Sequence, residues 1–484
     1  MKLFNKKVEN RIRVRFPPSP TGLLHIGNAR TILFNYLFTK QKGGQAILRI
    51  EDTDKERSKL EWVQNIIDEL KWLGIEWDEG PDIGGKFGPY KQSQRLDIYK
   101  EYLEKLLSEN KAFYCDCSQE ELEAKRQDQM SRGLAPKYDG KCRYLGKTKG
   151  VIRFKVEHKK IKFNDLIRGH VEFDTELLGD IVIAKDLENP LYHFAVVVDD
   201  AKMQISHVIR GEDHLSNTPK QILLQEALKF DQPVYAHLPL MLNPDKSKMS
   251  KRVGDVAVSD YHKAGYLPEA LVNFMVLLGW NPGHEKEIFS MHELIKEFSI
   301  EKVQKGGAVF NIKRLDFLNG FYIRQKPIGL LTKICLPYLQ KNHGEFSQKT
   351  LEKIVASCQP RMKKLSDISE MAEFYFEEKL NYDPKILTWK EMQPKDIKEA
   401  LLLCDNALSQ AKKWDIKSLE KIMFEVSEKF NTKKGYPMQN KGYLLWPLRA
   451  ALSGKEASPG PFEIAEILGK DRTLQRIADA VTML

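Results

Sequence analysis

Residues 11–50 read RIRVRFPPSPTGLLHIGNARTILFNYLFTKQKGGQAILRI, and this stretch decides the fold. Arg11 to Phe16 alternate basic and apolar side chains, the period of a strand. Pro17-Pro18-Ser19-Pro20-Thr21-Gly22 follows, which can continue neither a helix nor a central strand. From Ile26 to about Lys40 the spacing turns helical, with Ile32, Leu33, Tyr36 and Leu37 on one face. Gly43-Gly44 stops it, and QAILRI follows as a second strand. Strand, loop, helix and strand in that order open a parallel α/β sheet.

Outward from this unit, Leu60 to Leu73 repeats apolar residues at helical spacing and closes at Gly74. Residues 97–131 read as two helices, the second opening with Ser118 and Glu121 at capping-box spacing. Residues 151–185 are strand-rich (VIRFKV, HVEF, IVIAK). The run from Leu191 to Arg210 has buried-strand character, first AVVV and then ISHVIR, so the sheet reads as interrupted by an insertion and then resumed. A helix starts with Pro268 at its first position. Beyond about 325 the spacing is helical almost everywhere, as in KTLEKIVASC and SLEKIMFEVSEKF, which predicts helical bundles. The expected fold is α/β: a Rossmann-type parallel-sheet domain with an α+β insertion, followed by an all-α C-terminal region.

The chain has 484 residues, enough for roughly three to four domains. Hydrophobic residues at 42% and charged residues at 30% exclude global disorder. Lys+Arg 77 against Asp+Glu 67 leaves a net charge of +10, which suits an anionic partner such as nucleic acid or ATP. The N-terminus is charged throughout and lacks a signal core. The longest apolar stretch, Leu271 to Trp280, is about half a membrane span and contains Asn273. A soluble cytoplasmic protein with no membrane partner is expected. The 6 cysteines are too few for a disulfide scaffold. Cys335, Cys358 and Cys404 fall in helix-like segments and read as core, whereas Cys115, Cys117 and Cys142 are clustered.

Two segments suggest phosphate chemistry. His25-Ile26-Gly27-Asn28 sits between a strand end and a helix start, where backbone N–H groups and the helix dipole favour anions. Lys246-Ser247-Lys248-Met249-Ser250-Lys251-Arg252 is a cationic loop able to neutralise charge that develops in phosphoryl chemistry. Either alone has an ordinary reading, a capped helix or a solvated basic loop. Their pairing, in this order and more than 200 residues apart, is specific.

The pair resembles the HIGH and KMSKS motifs of class I aminoacyl-tRNA synthetases. Arg49-Ile50-Glu51-Asp52-Thr53-Asp54, Gly88-Pro89-Tyr90-Lys91-Gln92-Ser93 and Val208-Ile209-Arg210-Gly211-Glu212-Asp213-His214 narrow the resemblance to bacterial glutamyl-tRNA synthetases. Two positions depart from the motifs: Asn28 replaces His and Arg252 replaces Ser, and both keep hydrogen-bonding or cationic character. The resemblance implies activation of L-glutamate by ATP with Mg²⁺, then transfer to the 3′ end of tRNA-Glu, in a monomer. It divides the chain into catalytic halves at 11–95 and 190–241, an acceptor-stem insertion at 96–189, a stem-contact domain at 242–325, and anticodon-binding bundles at 326–376 and 377–484.

The resemblance also assigns residues. His25, Lys248 and Lys251 are catalytic, and His25, Gly27, Asn28 and Lys251 hold ATP. Arg15 and Arg210 are candidates for the glutamate side-chain carboxylate, since a guanidinium fork fits a carboxylate. Glu51 takes the α-ammonium, Tyr192 lines the pocket and Ser19 adds a hydroxyl. Val196 stands where some relatives carry Asn, so that contact is expected to be missing. Arg361 and Arg449 match positions that read anticodon bases, and Arg361 rather than Gln resembles enzymes restricted to tRNA-Glu. Cys115, Cys117 and Cys142 supply three of the four ligands zinc needs. Tyr138 is the expected fourth, with Tyr144 the other choice. Relatives with this C-x-C and Y-D-G-x-C pattern resemble zinc-bearing synthetases, which implies one Zn²⁺ in the insertion. Two rivals remain: a non-discriminating synthetase that also charges tRNA-Gln, and a catalytically inactive tRNA-binding paralogue.

Overall fold

The computed structural model describes residues 12–54, 56–247, 249, 257–339 and 346–484. These fall into two units, one comprising the residues up to Lys263 with Pro268–Leu315, the other Ala264–Leu267 with Asp316–Leu484.

The first unit opens as the sequence predicts. β1 (Arg13–Phe16) and β2 (Gln45–Leu48) pair in parallel, and α1 (Ile26–Gln41) connects them. Residues along nearly the whole of α1 are buried, so its polar side chains need partners. Asn35 Nδ2 donates to the Ile209 carbonyl at 3.0 Å, and Thr39 Oγ1 to that of Asn35 at 2.7 Å. α2 (Leu60–Trp72) buries Val63, Ile66, Ile67 and Leu70 and gives way to Gly74, whose φ of 72° suits glycine.

The next elements are α3 (Leu96–Ser108), β3 (Ala112–Cys115), α4 (Gln119–Ser131), β4 (Val151–Phe154), β5 (Lys160–Asp165), β6 (Gly169–Asp174) and β7 (Ile181–Ala184). The capping box of Ser118 and Glu121 is present at the start of α4. β3, β4 and β7 form an antiparallel sheet.

The structure corrects one expectation here. Ala195 to Val198, expected in a strand, lie in α5 (Tyr192–Lys202). All four side chains are buried, Val196 to 1% exposure. A fully buried helix shows the same unbroken apolar run as a fully buried strand, so periodicity does not separate them. The resumed strand is β8 (His207–Gly211), which is followed by α6 (Thr218–Leu228) and β9 (Val234–Leu238). β8 and β9 pair in parallel.

The hairpin β5–β6 has a role the sequence does not disclose. Asp165 pairs in parallel with Tyr235, so the hairpin extends the main sheet in the order β6-β5-β9-β8. At the other side of that sheet, Ser206 ties β8 to β1: its N–H donates to the Arg13 carbonyl at 3.0 Å, and its Oγ accepts from the Arg13 N–H at 2.8 Å. α7 (Val258–Lys263), α8 (Pro268–Leu277) and α9 (Met291–Glu297) also belong to this unit, and α8 starts at Pro268 as predicted.

α10 (Ile312–Gln325) leads into the second unit. Its helices are α11 (Ile328–Cys335), α12 (Gln348–Cys358), α13 (Asp367–Phe376), α14 (Pro394–Ser409), α15 (Ile416–Lys434), α16 (Gly442–Ser453) and α17 (Pro461–Thr482). Cys335, Cys358 and Cys404 are buried here, as expected. Among the described residues, no helix is long and apolar enough to cross a membrane.

Candidate active site

The residues that follow β1, β2, β8 and β9 line one cleft of about 890 Å³. Ligands of α/β sheets bind beyond the carboxyl ends of the strands. Arg15, Ser19, His25, Gly27, Asn28, Glu51, Tyr192 and Arg210, picked out from the sequence, all line this cleft.

His25 is the N-cap of α1, and its Nδ1 accepts from the Gly27 N–H at 2.9 Å. Acceptance at Nδ1 puts the proton of the neutral ring on Nε2. A Cβ on Gly27 would lie 3.1 Å from that Nδ1, so a side chain at position 27 would crowd the capping ring. The positive end of the α1 dipole points at this part of the cleft, which favours an anion there. Met249, within the cationic segment, and residues 257–258, after it, return to this place. Met249 lines the cleft, and its N–H donates to the Met241 carbonyl at 3.0 Å. Ala257 bridges His25, and the Val258 N–H donates to the Leu24 carbonyl at 2.9 Å. Lys248, Lys251 and Arg252 lie outside the described residues.

Three buried guanidiniums define the electrostatics beside this part of the cleft. Arg15 Nε donates to Asp200 Oδ1 at 3.2 Å, while its buried Nη1 has no hydrogen-bond partner. Arg49 donates to the same Asp200 oxygen at 2.7 Å and to Glu51 Oε1 at 2.8 Å. Burial pushes the Glu51 carboxyl up, and the Arg49 and Arg15 charges only partly oppose it. Ser19 Oγ donates to the Glu51 carbonyl at 3.0 Å, and the Tyr192 hydroxyl lies 3.2 Å from His214 Nδ1. Arg210 differs from the other two. Its hydrogen-bond partners are His237, Gln221 and Thr218, all without formal negative charge. Burial lowers its pKa, and a guanidinium buried without a carboxylate is costly. A carboxylate arriving in the cleft would meet the charge of Arg210, and Arg15 lines the same cleft.

Residues 11–317 match the family described as tRNA synthetases class I (E and Q), catalytic domain, and residues 330–481 match the family described as anticodon binding domain. Glutamate–tRNA ligase 1 of Caldicellulosiruptor saccharolyticus is 45% identical over 96% of this chain and 98% of its own length. Glutamate–tRNA ligase of Dehalococcoides mccartyi is 43% identical over 98% of both. The crystal structure of a glutamate tRNA ligase from Elizabethkingia meningosepticum, in complex with its amino acid, matches with a TM-score of 0.86 and 34% identity, over 98% of this chain and 99% of that one. The chain belongs to the glutamate–tRNA ligase family.

In this ligase-family chain the cysteine cluster assembles around the end of β3. The Sγ atoms of Cys115, Cys117 and Cys142 lie within 4.8 Å of one another, with Cys117 and Cys142 at 3.5 Å. The Tyr138 hydroxyl oxygen is 3.4 Å from Cys115 Sγ and 3.8 Å from Cys117 Sγ, and it accepts from the Cys142 N–H at 2.9 Å. Bonds of about 2.3 Å to a tetrahedral zinc put thiolates roughly 3.8 Å apart, so the three sulfurs are compatible with such an ion, with the Tyr138 oxygen beside two of them. Burial pushes the Cys115 thiol up, but hydrogen bonds from Tyr138, the Cys117 backbone and Arg153 bring it down to about 7. Tyr144 is 83% exposed, which separates it from Tyr138.

In the helical unit, Arg361 is exposed on the short turn Gln359–Arg361 after α12. Arg449 on α16 stacks over Trp446 at 4.4 Å and donates to the Glu456 carbonyl at 2.7 Å. Burial, then the charge of Arg361, lowers its pKa.

Sequence reasoning missed several residues that shape the cleft. Asp200 bridges Arg15 and Arg49 from within the AVVVDD run. Arg30 lines the cleft from α1, donates to the Leu278 carbonyl at 2.9 Å, and is brought by burial to about 10. A pair of carboxylates after four apolar residues, Asp199 and Asp200, was the available signal for Asp200. Arg30 carried none.

Proposed function

We propose that the chain is an ATP-dependent glutamate–tRNA ligase acting through this cleft, with tRNA-Glu as acceptor. The observation that carries the assignment is the buried Arg210, ringed by neutral partners, in the cleft that Arg15 also lines. The side-chain carboxylate of glutamate pairs with these guanidiniums. Glutamine would leave them facing an amide, the kind of mismatch that such sites reject strongly. Glu51 receives the α-ammonium, Ser19 and Tyr192 complete the wall, and the α-carboxylate is left facing the nucleotide.

ATP lies along the start of α1, its phosphates against His25 Nε2–H and the backbone over Gly27 and Asn28. Mg²⁺, when bound with the nucleotide, would neutralise part of its phosphate charge. An α-carboxylate oxygen of glutamate attacks the α-phosphorus, the bond to pyrophosphate breaks, and glutamyl-adenylate forms. His25 donates a hydrogen bond to a phosphate oxygen during this step, and by resemblance Lys248 and Lys251 meet the developing charge. The 2′-hydroxyl of the terminal ribose of tRNA then attacks the carbonyl carbon, AMP leaves, and the glutamyl ester forms. Cys115, Cys117, Tyr138 and Cys142 would hold a zinc ion, which would supply a structural cross-link to the 112–142 segment. Arg361 and Arg449 face the anticodon.

Glutamate-dependent exchange of labelled pyrophosphate into ATP, run with and without tRNA-Glu, tests the assignment. Exchange with glutamate is expected. None under either condition would favour the inactive paralogue.

A further inference from the structure

Behind Arg210 lies a buried polar relay that neither the motifs nor the family assignment explains. Asp165 on β5 accepts from His237 Nδ1 at 2.6 Å. It also accepts from the N–H groups of Ile167 at 2.9 Å, Arg168 at 2.8 Å and His237 at 3.2 Å, so the carboxylate is fixed. His237 on β9 is 0% exposed. With Nδ1 donating to Asp165, Nε2 of the neutral ring is the acceptor. That nitrogen receives Arg210 Nε–H at 3.2 Å and lies 3.0 Å from Thr218 Oγ1. Burial lowers the His237 pKa, with the Asp165 hydrogen bond opposing, which keeps the ring neutral and the acceptor open.

A guanidinium has five N–H groups. In Arg210, Nε–H goes to His237, one Nη1–H to Gln221 and one Nη2–H to Thr218, both at 2.7 Å. One N–H on each terminal nitrogen is left, on a side chain that lines the cleft. A carboxylate in the place of His237 would bind Arg210 directly and compete with the substrate. An imidazole held by a carboxylate supports the guanidinium and leaves its charge to the ligand.

We infer that His237 and Asp165 are positioning residues for glutamate recognition, with His237 Nε2 orienting the Arg210 fork and Asp165 fixing the tautomer. The inference rests on the reading that Arg210 meets the substrate. Because Asp165 belongs to the hairpin that joins β9, the 151–185 segment reaches the amino-acid pocket through this contact.

The test measures aminoacylation of tRNA-Glu by wild type, Arg210→Lys, His237→Phe and His237→Gln. Arg210→Lys should raise the KM for glutamate sharply. His237→Phe keeps the shape but removes the acceptor, and should raise that KM roughly tenfold with kcat little changed, the pattern of lost uniform binding. His237→Gln carries an acceptor and should recover most of the loss. If Arg210→Lys raises KM while His237→Phe does not, the relay is refuted and the role of Arg210 stands. If Arg210→Lys leaves KM unchanged, both fall. Nitrogen NMR of histidine-labelled wild type, with His237 assigned by its loss in His237→Gln, needs no active variant. A bare Nε2 is expected, and a protonated Nε2 would overturn the inference.

Discussion

Arg15 and Arg49 share a single carboxylate, that of Asp200, and both guanidiniums are almost fully buried. Removing it strands Arg15 in a buried site, while Arg49 keeps Glu51. Asp200→Ala should cost about 3–5 kcal/mol of stability, as breaking buried pairs does. Urea unfolding of the full chain measures it, and a loss under about 1 kcal/mol would mean that the pairs behave like exposed ones. A second prediction concerns Arg361. The Glu and Gln anticodons differ at the third base, C against G. A guanidinium donates to the acceptors of an unpaired C but meets donors on the corresponding edge of G. Losing such a contact is worth roughly tenfold to hundredfold discrimination. Arg361→Gln should therefore charge tRNA-Gln better while keeping most activity on tRNA-Glu. An unmoved ratio of the two charging efficiencies would make Arg361 a solvated residue. At this scale the sequence was legible where a residue sits in a motif, as Arg15, His25 and Arg210 do. It was opaque where a residue acts behind the motif: nothing in YAHLPL marks His237, which faces its partners only once β5 and β8 flank β9.

The cysteine cluster belongs to the scale of elements, because β3, the turn after it and the 138–142 loop must meet to build it. Protein purified without added zinc should carry about one zinc per chain, and Cys115→Ser should release it. Tyr138→Phe should weaken retention against a chelator, whereas Tyr144→Phe should not. The reverse result would exchange the fourth ligand. α2 announced itself through its apolar stripe, and α4 and α8 through their starting residues, Ser118 with Glu121 and Pro268. α5 did not. Its residues Phe194 to Asp200 are all buried, and a period cannot be read where no polar face exists. The same loss of contrast hid the pairing of β5 with β9, since strand order depends on contacts 70 residues apart.

For the molecule as a whole, buried histidines set a direction for pH dependence. Burial brings His193, His207 and His214 to about 4 and lowers His237 as well. Between these values and the ordinary 6.5, the unfolded chain binds protons that the folded chain does not. Their contribution is therefore full above about 6.5 and is lost as pH falls towards 4. The raised carboxyls of Glu51 and Glu69 act the other way, but they are fewer. The midpoint of thermal unfolding should drop between pH 7 and pH 5, and a midpoint that rises would show that these rings stay solvated. On the proposed function, two buried guanidiniums, those of Arg15 and Arg210, select a carboxylate side chain for attachment to RNA. Aminoacylation of purified tRNA-Glu with labelled glutamate and, in parallel, labelled glutamine tests it most directly. The account predicts ATP-dependent charging with glutamate and essentially none with glutamine. Equal charging with both, or charging with neither, would contradict it.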